Sequence, residues 1–258
     1  MNSLNKKLIN KRVIAKSFGR AAKNYDKIAF FQQKSGKILF DSVSTIQSSD
    51  IILDAGCGTG YFSKQWKLIG KKVIALDLSL SMLYVAKEKK TAMSYIHADI
   101  ELLPLKDETI DLCFSHLAIQ WCENLYTALS ELYRITKKGG IVAFSTILDG
   151  SLEELKQCLH KIDEYHHVNS FLTFKEIQSI CNNWSCNFKQ QTWHLIYPTF
   201  HKLLQSLKGI GATYLWNNRK HYGLMTKNYL NKLINNYPCI NDEFPLTYKL
   251  VFGILYRE

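Results

Sequence analysis

Residues 51–60, IILDAGCGTG, constrain this chain more than any other stretch. Ile51, Ile52 and Leu53 make an unbroken apolar run, as in a strand buried on both faces, and Asp54 ends it. Gly56, Gly58 and Gly60 then alternate with small residues before Tyr61 and Phe62 open a helical pattern. A strand that turns into a helix through alternating glycines lets a ligand approach bare backbone and aims the first helical amides at it. The dinucleotide fingerprint G-x-G-x-x-G needs a third glycine where this chain has Tyr61, so the loop fits a pyrophosphate poorly. A glycine loop alone is equally compatible with a structural turn; the residues downstream decide.

The spacing predicts a helix over 61–68 ended by Gly70 and a strand over 73–76 ending at Asp77. Ser79 or Ser81 then offers a cap for a helix running from Met82 to Lys89. A third strand over 95–97 ends at Ala98 and Asp99, and a fourth covers 110–115. A helix over 125–135 is expected to close at Gly139 and Gly140, before a strand over 141–147. Alternation at this pace means an α/β fold with a doubly wound, mostly parallel sheet and right-handed crossovers. Residues 3–45 read as helical, with Val13, Phe18, Ala21, Ala22 and Tyr25 recurring at helical spacing. A helix ahead of the first strand cannot be a crossover, so it is expected to pack as a lid over the ligand end.

Beyond 150 the simple alternation stops. Ser151 and Glu154 offer a capping box for a helix over 151–165, and Thr173 and Glu176 another for 175–181. Residues 188–197 and 247–256 alternate like strands. Between them lie helical patterns near 200–207 and 226–235, joined by a connection over 208–224 too long for a plain turn. The expected organisation is one domain: an N-terminal helical lid (1–45), a core (46–150) and a C-terminal part (151–258) whose insertion, about 199–236, caps the site.

Three acids, Asp54, Asp77 and Asp99, fall at or just past the ends of successive predicted strands. Ligands of open α/β sheets bind outside the carboxyl ends of the strands. Asp77 lies 23 residues after Asp54, where an acid can accept both hydroxyls of a ribose and would repel a 2′-phosphate. Any one of these acids alone is explained by a turn or helix cap; the three together with the glycine loop are not.

The net charge of +11 is concentrated in two places. Residues 1–40 hold ten Lys/Arg against Asp26 alone, and residues 201–240 hold six with no acid, whereas residues 41–200 carry fifteen basic and eighteen acidic side chains. Part of this is a lysine-rich composition, since only five of the 33 cations are Arg. The rest points to an acidic partner, or to nucleic acid, docking where the two segments meet. No apolar run approaches the ~20 residues of a membrane span, and Lys6, Lys7, Lys11 and Arg12 interrupt every N-terminal apolar stretch. Seven cysteines without a C-x-x-C pair suggest reduced thiols in a cytoplasm, with neither a disulfide framework nor a metal site.

The segments LDAGCGTG, ALDLSLSML, ADIELLPL, DLCFSHLAIQW and KKGGIVAFST, in that order over roughly 15–148, resemble the class I S-adenosylmethionine (SAM) methyltransferases. The resemblance implies a Rossmann-like sheet of seven strands and SAM as cofactor, with S-adenosylhomocysteine as product. It implies that Gly56, Gly58 and Gly60, with Cys57 among them, line the methionine part, that Asp77 and Leu78 hold the ribose, and that Asp99 and Ile100 hold the adenine. Asp54 would orient the loop or the cofactor's amino group, and Met82 and His116 complete the cofactor set. The family's amino-methylating nucleic acid enzymes carry N/D-P-P-Y/F after the fourth strand; this chain has Ser115-His116-Leu117-Ala118, which weighs against adenine or cytosine N-methylation.

A closer resemblance covers nearly the whole chain. SFGRAAKNYD, LAIQWCENLYTALSELYR, SLKGIGATYL and PLTYKLVFGILYRE are similar to the malonyl-acyl-carrier-protein O-methyltransferases of biotin synthesis. This implies methylation of the free carboxyl of a malonyl thioester, with an acidic acyl carrier protein bearing malonyl-phosphopantetheine as partner and neither nucleic acid nor membrane. The expected site has no general acid or base. Tyr25, Gln120 and Trp121 position the reactants, Tyr25 as a lid over the methyl group, and Phe18, Arg20, Tyr25 and Lys208 receive substrate. The plainer alternatives are that Trp121 is core, that Arg20 and Lys208 are solvated charges and that His116 is packing. A methyltransferase acting on a free small molecule, an RNA methyltransferase or RNA-binding protein, and a cofactor-binding module without catalysis are the competing functions.

Overall fold

The apolar run at 51–55 becomes an inner strand because helices cover both of its faces and strands flank both of its edges. In the computed structural model, residues 10–46, 50–162, 169–210 and 227–258 are described. The chain enters through α1 (Lys11–Ala21), a 3-10 turn at Ala22–Asn24, α2 (Tyr25–Ile28) and α3 (Phe30–Val43). Then come β1 (Ile51–Ala55), α4 (Tyr61–Leu68), β2 (Lys72–Asp77), α5 (Leu80–Glu88), β3 (Ser94–His97) and β4 (Ile110–His116). A 3-10 turn at Ile119–Trp121 leads to α6 (Leu125–Ile135), β5 (Thr136–Ile147), α7 (Glu153–His160) and α8 (Phe174–Ile180). The last elements are β6 (Ser185–Tyr197), α9 (Phe200–Gly209), α10 (Lys227–Asn236) and β7 (Phe244–Tyr256).

The seven strands form one sheet in the order β3-β2-β1-β4-β5-β7-β6. The first five are parallel to their neighbours, and β7 runs antiparallel between β5 and β6. Successive strand residues point to opposite faces, which splits the apolar interior in two. Ile52, Leu112, Phe114 and Ala143 face one side with Leu39, Phe62 and Trp66, while Leu53, Cys113, Val142 and Phe144 face the other with Leu129 and Leu132. The chain moves outward from β1 through β2 to β3, then returns to β4 on the other side of β1. That reversal opens a crevice at the carboxyl ends of β1 and β4, where α/β sheets place their ligands.

Four local expectations are corrected. The helical stretch expected over 3–45 is broken, among the described residues, into three helices at Ala22–Asn24 and at Ala29 (φ −76°, ψ 33°). The fourth helix of the chain at 61–68 stands as read, but the next begins at Leu80, and its N-cap Ser79 makes no side-chain capping bond; its backbone N–H is held by Asp77. Gly139 and Gly140 do not close α6. They lie inside β5, where Gly139 N–H donates to the Arg257 carbonyl at 2.7 Å and Arg257 N–H donates to the Gly140 carbonyl at 2.9 Å. The Ser151–Glu154 capping box does not form, since β7 takes both side chains: Ser151 Oγ pairs with the Lys249 backbone, and Glu154 accepts from Thr247. The Thr173–Glu176 box does form at the start of α8. Much of the connection expected over 208–224, from residue 211 on, lies outside the described residues.

Helix α9 of the expected cap reaches the lid. Ile28 of α2 fills the space beside Gly209 of α9, its Cδ1 lying 2.5 Å from where a Cβ would stand. Gly253 in β7 is more tightly constrained, since a Cβ there would lie 2.4 Å from Cζ of Phe144, itself fully buried. Gly253→Ala should therefore destabilise the fold by about 1–3 kcal/mol, measured as a lower urea midpoint at unchanged slope.

Candidate active site

The glycine loop leaves β1 with three left-handed residues, Gly56 (φ 80°), Gly58 (φ 56°) and Gly60 (φ 79°), a conformation that side chains resist. It is stitched to β2. The Gly56 and Cys57 amides donate to the Leu76 carbonyl at 2.7 and 2.9 Å, and the Gly58 amide donates to Asp77 Oδ2 at 2.8 Å. Asp77 Oδ1 accepts the Ser79 amide at 2.7 Å. A Cβ on Gly56 would stand 2.2 Å from the Ala118 Cβ, and one on Gly60 would stand 2.3 Å from Thr91 Oγ1, whereas one on Gly58 would meet nothing within 4 Å. Gly58 is the point where backbone is bared to open space.

Two clefts meet there. The first, about 690 Å³, runs along the carboxyl ends of β2 and β3 past Asp77, Leu78, Met82, Asp99 and Ile100, and is closed from above by Lys11, Ile14 and Phe18 of α1. The second, about 490 Å³, runs between the loop and α3, past Asp54, Cys57, Thr59, Gln32 and Gln33. They share Tyr25, Gly56, Gly58, His116 and Leu117. The first is the roomier of the two. Its half-buried carboxylate at Asp77 keeps unused acceptor sites on both oxygens, and apolar side chains stand on either side, which is what an adenosine moiety needs.

Burial sets the protonation of the walls. Desolvation raises the Asp77 pKa, opposed by the Ser79 and Gly58 amides. Desolvation raises Asp54 to about 7, against the Ser63 hydroxyl that donates to its Oδ2 at 2.5 Å. Burial, then the charges of Asp77 and Asp26, raise the Tyr25 hydroxyl, so it stays protonated. His116 is pushed down to about 3 by burial. Its Nε2 lies 2.9 Å from the Gln32 carbonyl, which can only accept, so Nε2 carries the proton and Nδ1 accepts from Ser145 Oγ at 2.6 Å. His116 thus ties β4 to α3 and β5 as a neutral ring with both nitrogens engaged.

The lid is pinned at both ends. Lys11 donates to Asp99 and Glu101, and Asp26 accepts from Thr59 Oγ1 in the glycine loop and from Lys89 at 2.5 Å. Phe18 meets Trp121 edge to face, with ring centroids 5.3 Å apart, closing the first cleft. Leu117, at φ 49°, is a non-glycine residue in left-handed backbone where the clefts join, the kind of strain that collects at functional sites.

The structure therefore brings together most of the residues singled out from the sequence. Gly56, Gly58, Asp77, Leu78, Met82, Asp99, Ile100, His116, Phe18, Tyr25 and Trp121 border the first cleft, and Asp54 and Cys57 border the second. Four others stand apart. Gly60 packs on Thr91 and borders neither cleft. Gln120 donates to the Leu117 carbonyl at 2.7 Å and braces the strained turn. Arg20 and Lys208, in the last turns of α1 and α9, are exposed and line neither cleft. Lys11 and Ile14 went unread, although they share a helical face with Phe18 at i, i+3 and i+7. Gln32 and Leu117 carry no signal in the sequence.

Residues 53–144 match the family described as "Methyltransferase domain". Over 250 residues, 97% of this chain and 96% of the relative, the chain is 47% identical to the malonyl-[acyl-carrier protein] O-methyltransferase of Hamiltonella defensa. It is 44% identical to the enzyme of that name from Serratia marcescens, over 97% of both chains. Among solved structures, the YcgJ protein of Bacillus subtilis superposes with a TM-score of 0.62 at 15% identity, covering 88% of this chain and 99% of that one, a likeness of fold.

The Asp54 carboxyl supplies a pH test. Its pKa rises from an ordinary 3.8 to about 7 on folding, so the protonated form stabilises the fold. That contribution is complete below about pH 4 and is lost as pH climbs through about 7. Asp54→Asn removes the titration, and its unfolding free energy should fall less between pH 4 and 7, by a few kcal/mol at about 1.4 kcal/mol per pH unit. Urea midpoints at pH 5 and 8 measure this; identical pH profiles for the two proteins would contradict it.

Proposed function

The chain belongs to the malonyl-[acyl-carrier protein] O-methyltransferase family, and we propose that it methylates the free carboxyl of a malonyl group held by the phosphopantetheine thioester of an acyl carrier protein. In biotin synthesis that ester is the form extended by fatty acid enzymes. The observation that carries this reading is the meeting of two clefts at Gly58, Tyr25 and Leu117, one suited to a nucleoside and the other open to an acceptor. SAM, when bound, supplies a sulfonium methyl that an ionised carboxylate takes by direct displacement, leaving S-adenosylhomocysteine.

We assign Asp77 and Leu78 to the ribose of that cofactor, Asp99 and Ile100 to its adenine, and Gly56, Gly58 and Asp54 to its methionine part. The remaining residues orient and exclude water. A carboxyl of pKa ~4 is ionised at neutral pH, so no side chain has to remove a proton. The junction matches that need: His116 is neutral with both nitrogens engaged, and burial keeps the Tyr25 hydroxyl protonated. Alignment of the reactants can contribute roughly 7–11 kcal/mol. Tyr25, Phe18 and Trp121 supply walls that admit little water.

The partner reading rests on charge. Lys16, Arg20, Lys23 and Lys27 of the N-terminal helical region and Lys202 and Lys208 of α9 are exposed, and the two groups approach each other where Gly209 packs on Ile28. Such a surface suits an acidic carrier protein. No helix among the described residues is long and apolar enough to cross a membrane, and we place the enzyme in the cytoplasm.

Incubation with labelled SAM and malonyl-carrier protein, followed by mass analysis, should reveal one methyl ester on the malonyl group. Label on a free acid alone, or salt-sensitive RNA binding without ester formation, would overturn the assignment. Reversing the charge of Lys16, Lys23, Lys27, Lys202 and Lys208 together should lower kcat/KM for malonyl-carrier protein about tenfold or more, yet spare malonyl-CoA within roughly threefold. Equal losses on both substrates would remove the docking surface.

A further inference from the structure

Lys11 behaves unlike the other described cations of the N-terminal segment. Arg12, Lys16, Arg20 and Lys23 are exposed, whereas Lys11 turns inward, its side chain only 22% exposed, and borders the first cleft. Its ammonium bridges Asp99 Oδ2 and Glu101 Oε2. Each carboxylate is also held by backbone amides. Asp99 Oδ1 accepts the Glu101 amide at 3.0 Å, and Glu101 accepts the Glu123 and Asn124 amides, both at 2.8 Å, at the start of α6. Burial opposes the Lys11 charge, but the hydrogen bonds and charges of the two acids outweigh it and raise its pKa, so the bridge is ionic near neutral pH. The Asp99 carboxylate is thereby clamped between a backbone amide and a lid cation, with its remaining acceptor sites beside the cleft that Lys11 and Asp99 both line.

We propose that Lys11 is a positioning residue for base recognition: it orients the Asp99 carboxylate toward the exocyclic amino group of the purine and anchors α1 over that end of the cofactor. This rests on the assignment of Asp99 to the adenine. A clamped carboxylate accepts from an amino group and repels a carbonyl oxygen at the same position of the ring. Loss of the clamp lets Asp99 turn away, and the preference weakens. A residue that merely held the helix down would weaken binding of either base alike.

The test is calorimetric binding of S-adenosylhomocysteine and of S-inosylhomocysteine, in which a 6-oxo group replaces the amino group. The full-length protein should prefer the adenosyl compound by roughly 10–100-fold, the range that loss of one hydrogen bond to a charged group covers. Lys11→Met should shrink that ratio at least about fivefold, mainly by weakening the adenosyl compound, and Lys11→Arg should retain most of it because a cation able to bridge both acids is kept. Glu101→Gln, which frees Lys11 from one anchor, should shrink the ratio less, and it stands as the test should Lys11→Met not fold. An unchanged or larger ratio in these variants, with Asp99→Ala abolishing it, overturns the role of Lys11 alone. A ratio untouched by Asp99→Ala overturns the adenine assignment beneath it.

Discussion

A single half-buried carboxylate holds the ligand end of this fold in register. Asp77 accepts the Gly58 amide on one oxygen and the Ser79 amide on the other, so it fixes both the loop that leaves β1 and the entry to α5. Bonds from N–H groups to an ionised carboxylate are stronger than neutral ones, and here they offset the desolvation that raises the Asp77 pKa. The Leu76 carbonyl, one residue earlier, takes the Gly56 and Cys57 amides. Three successive loop amides are thus committed to the end of β2. Gly56 can come against Ala118 because it carries no Cβ, and Gly58 supplies the left-handed backbone (φ 56°) with which the loop faces open space.

The lid depends on that frame. Asp26 reaches the loop through Thr59, Lys11 reaches the end of β3 through Asp99, and the Gln32 carbonyl accepts the Nε2–H of His116. Three helices that belong to no crossover are thereby coupled to three different carboxyl ends of the sheet. The consequence is chemical as well as mechanical. The polar groups at the junction are consumed in holding the lid, leaving a neutral imidazole and a protonated phenol, which suits a reaction that needs alignment and dryness more than proton transfer.

The C-terminal half shows how strand pairing overrides local signals. Ser151 and Glu154 have the spacing of a capping box, but β7 passes close enough to take both side chains, and α7 starts at Glu153 behind Leu152 in left-handed backbone (φ 57°). Gly139 and Gly140 look like a helix stop, but β5 begins at Thr136 and pairs past them to Arg257. A Cβ on Gly140 would stand 2.5 Å from the Asp111 carbonyl, so this glycine serves strand packing. In each case a partner distant in the chain competes with a neighbour, and the sheet wins because it satisfies backbone groups on both strands at once.

Sequence alone determined the parallel half of the sheet and the loop and carboxylates that line the first cleft. Strands buried on both faces must be apolar runs, a left-handed loop at a close approach needs glycine, and acids at strand ends converge wherever strands run parallel. All three are properties of single segments. Only the tertiary structure decided which cations face inward. Lys11 and Arg20 lie on the same helix in the same basic stretch, yet one bridges two acids over the cleft and the other is solvated. Helical spacing says which residues share a face but not which face meets the sheet. That rotation is set by how Ile14 and Phe18 pack against the cleft walls and Trp121, and it exists only once the distant strands have assembled.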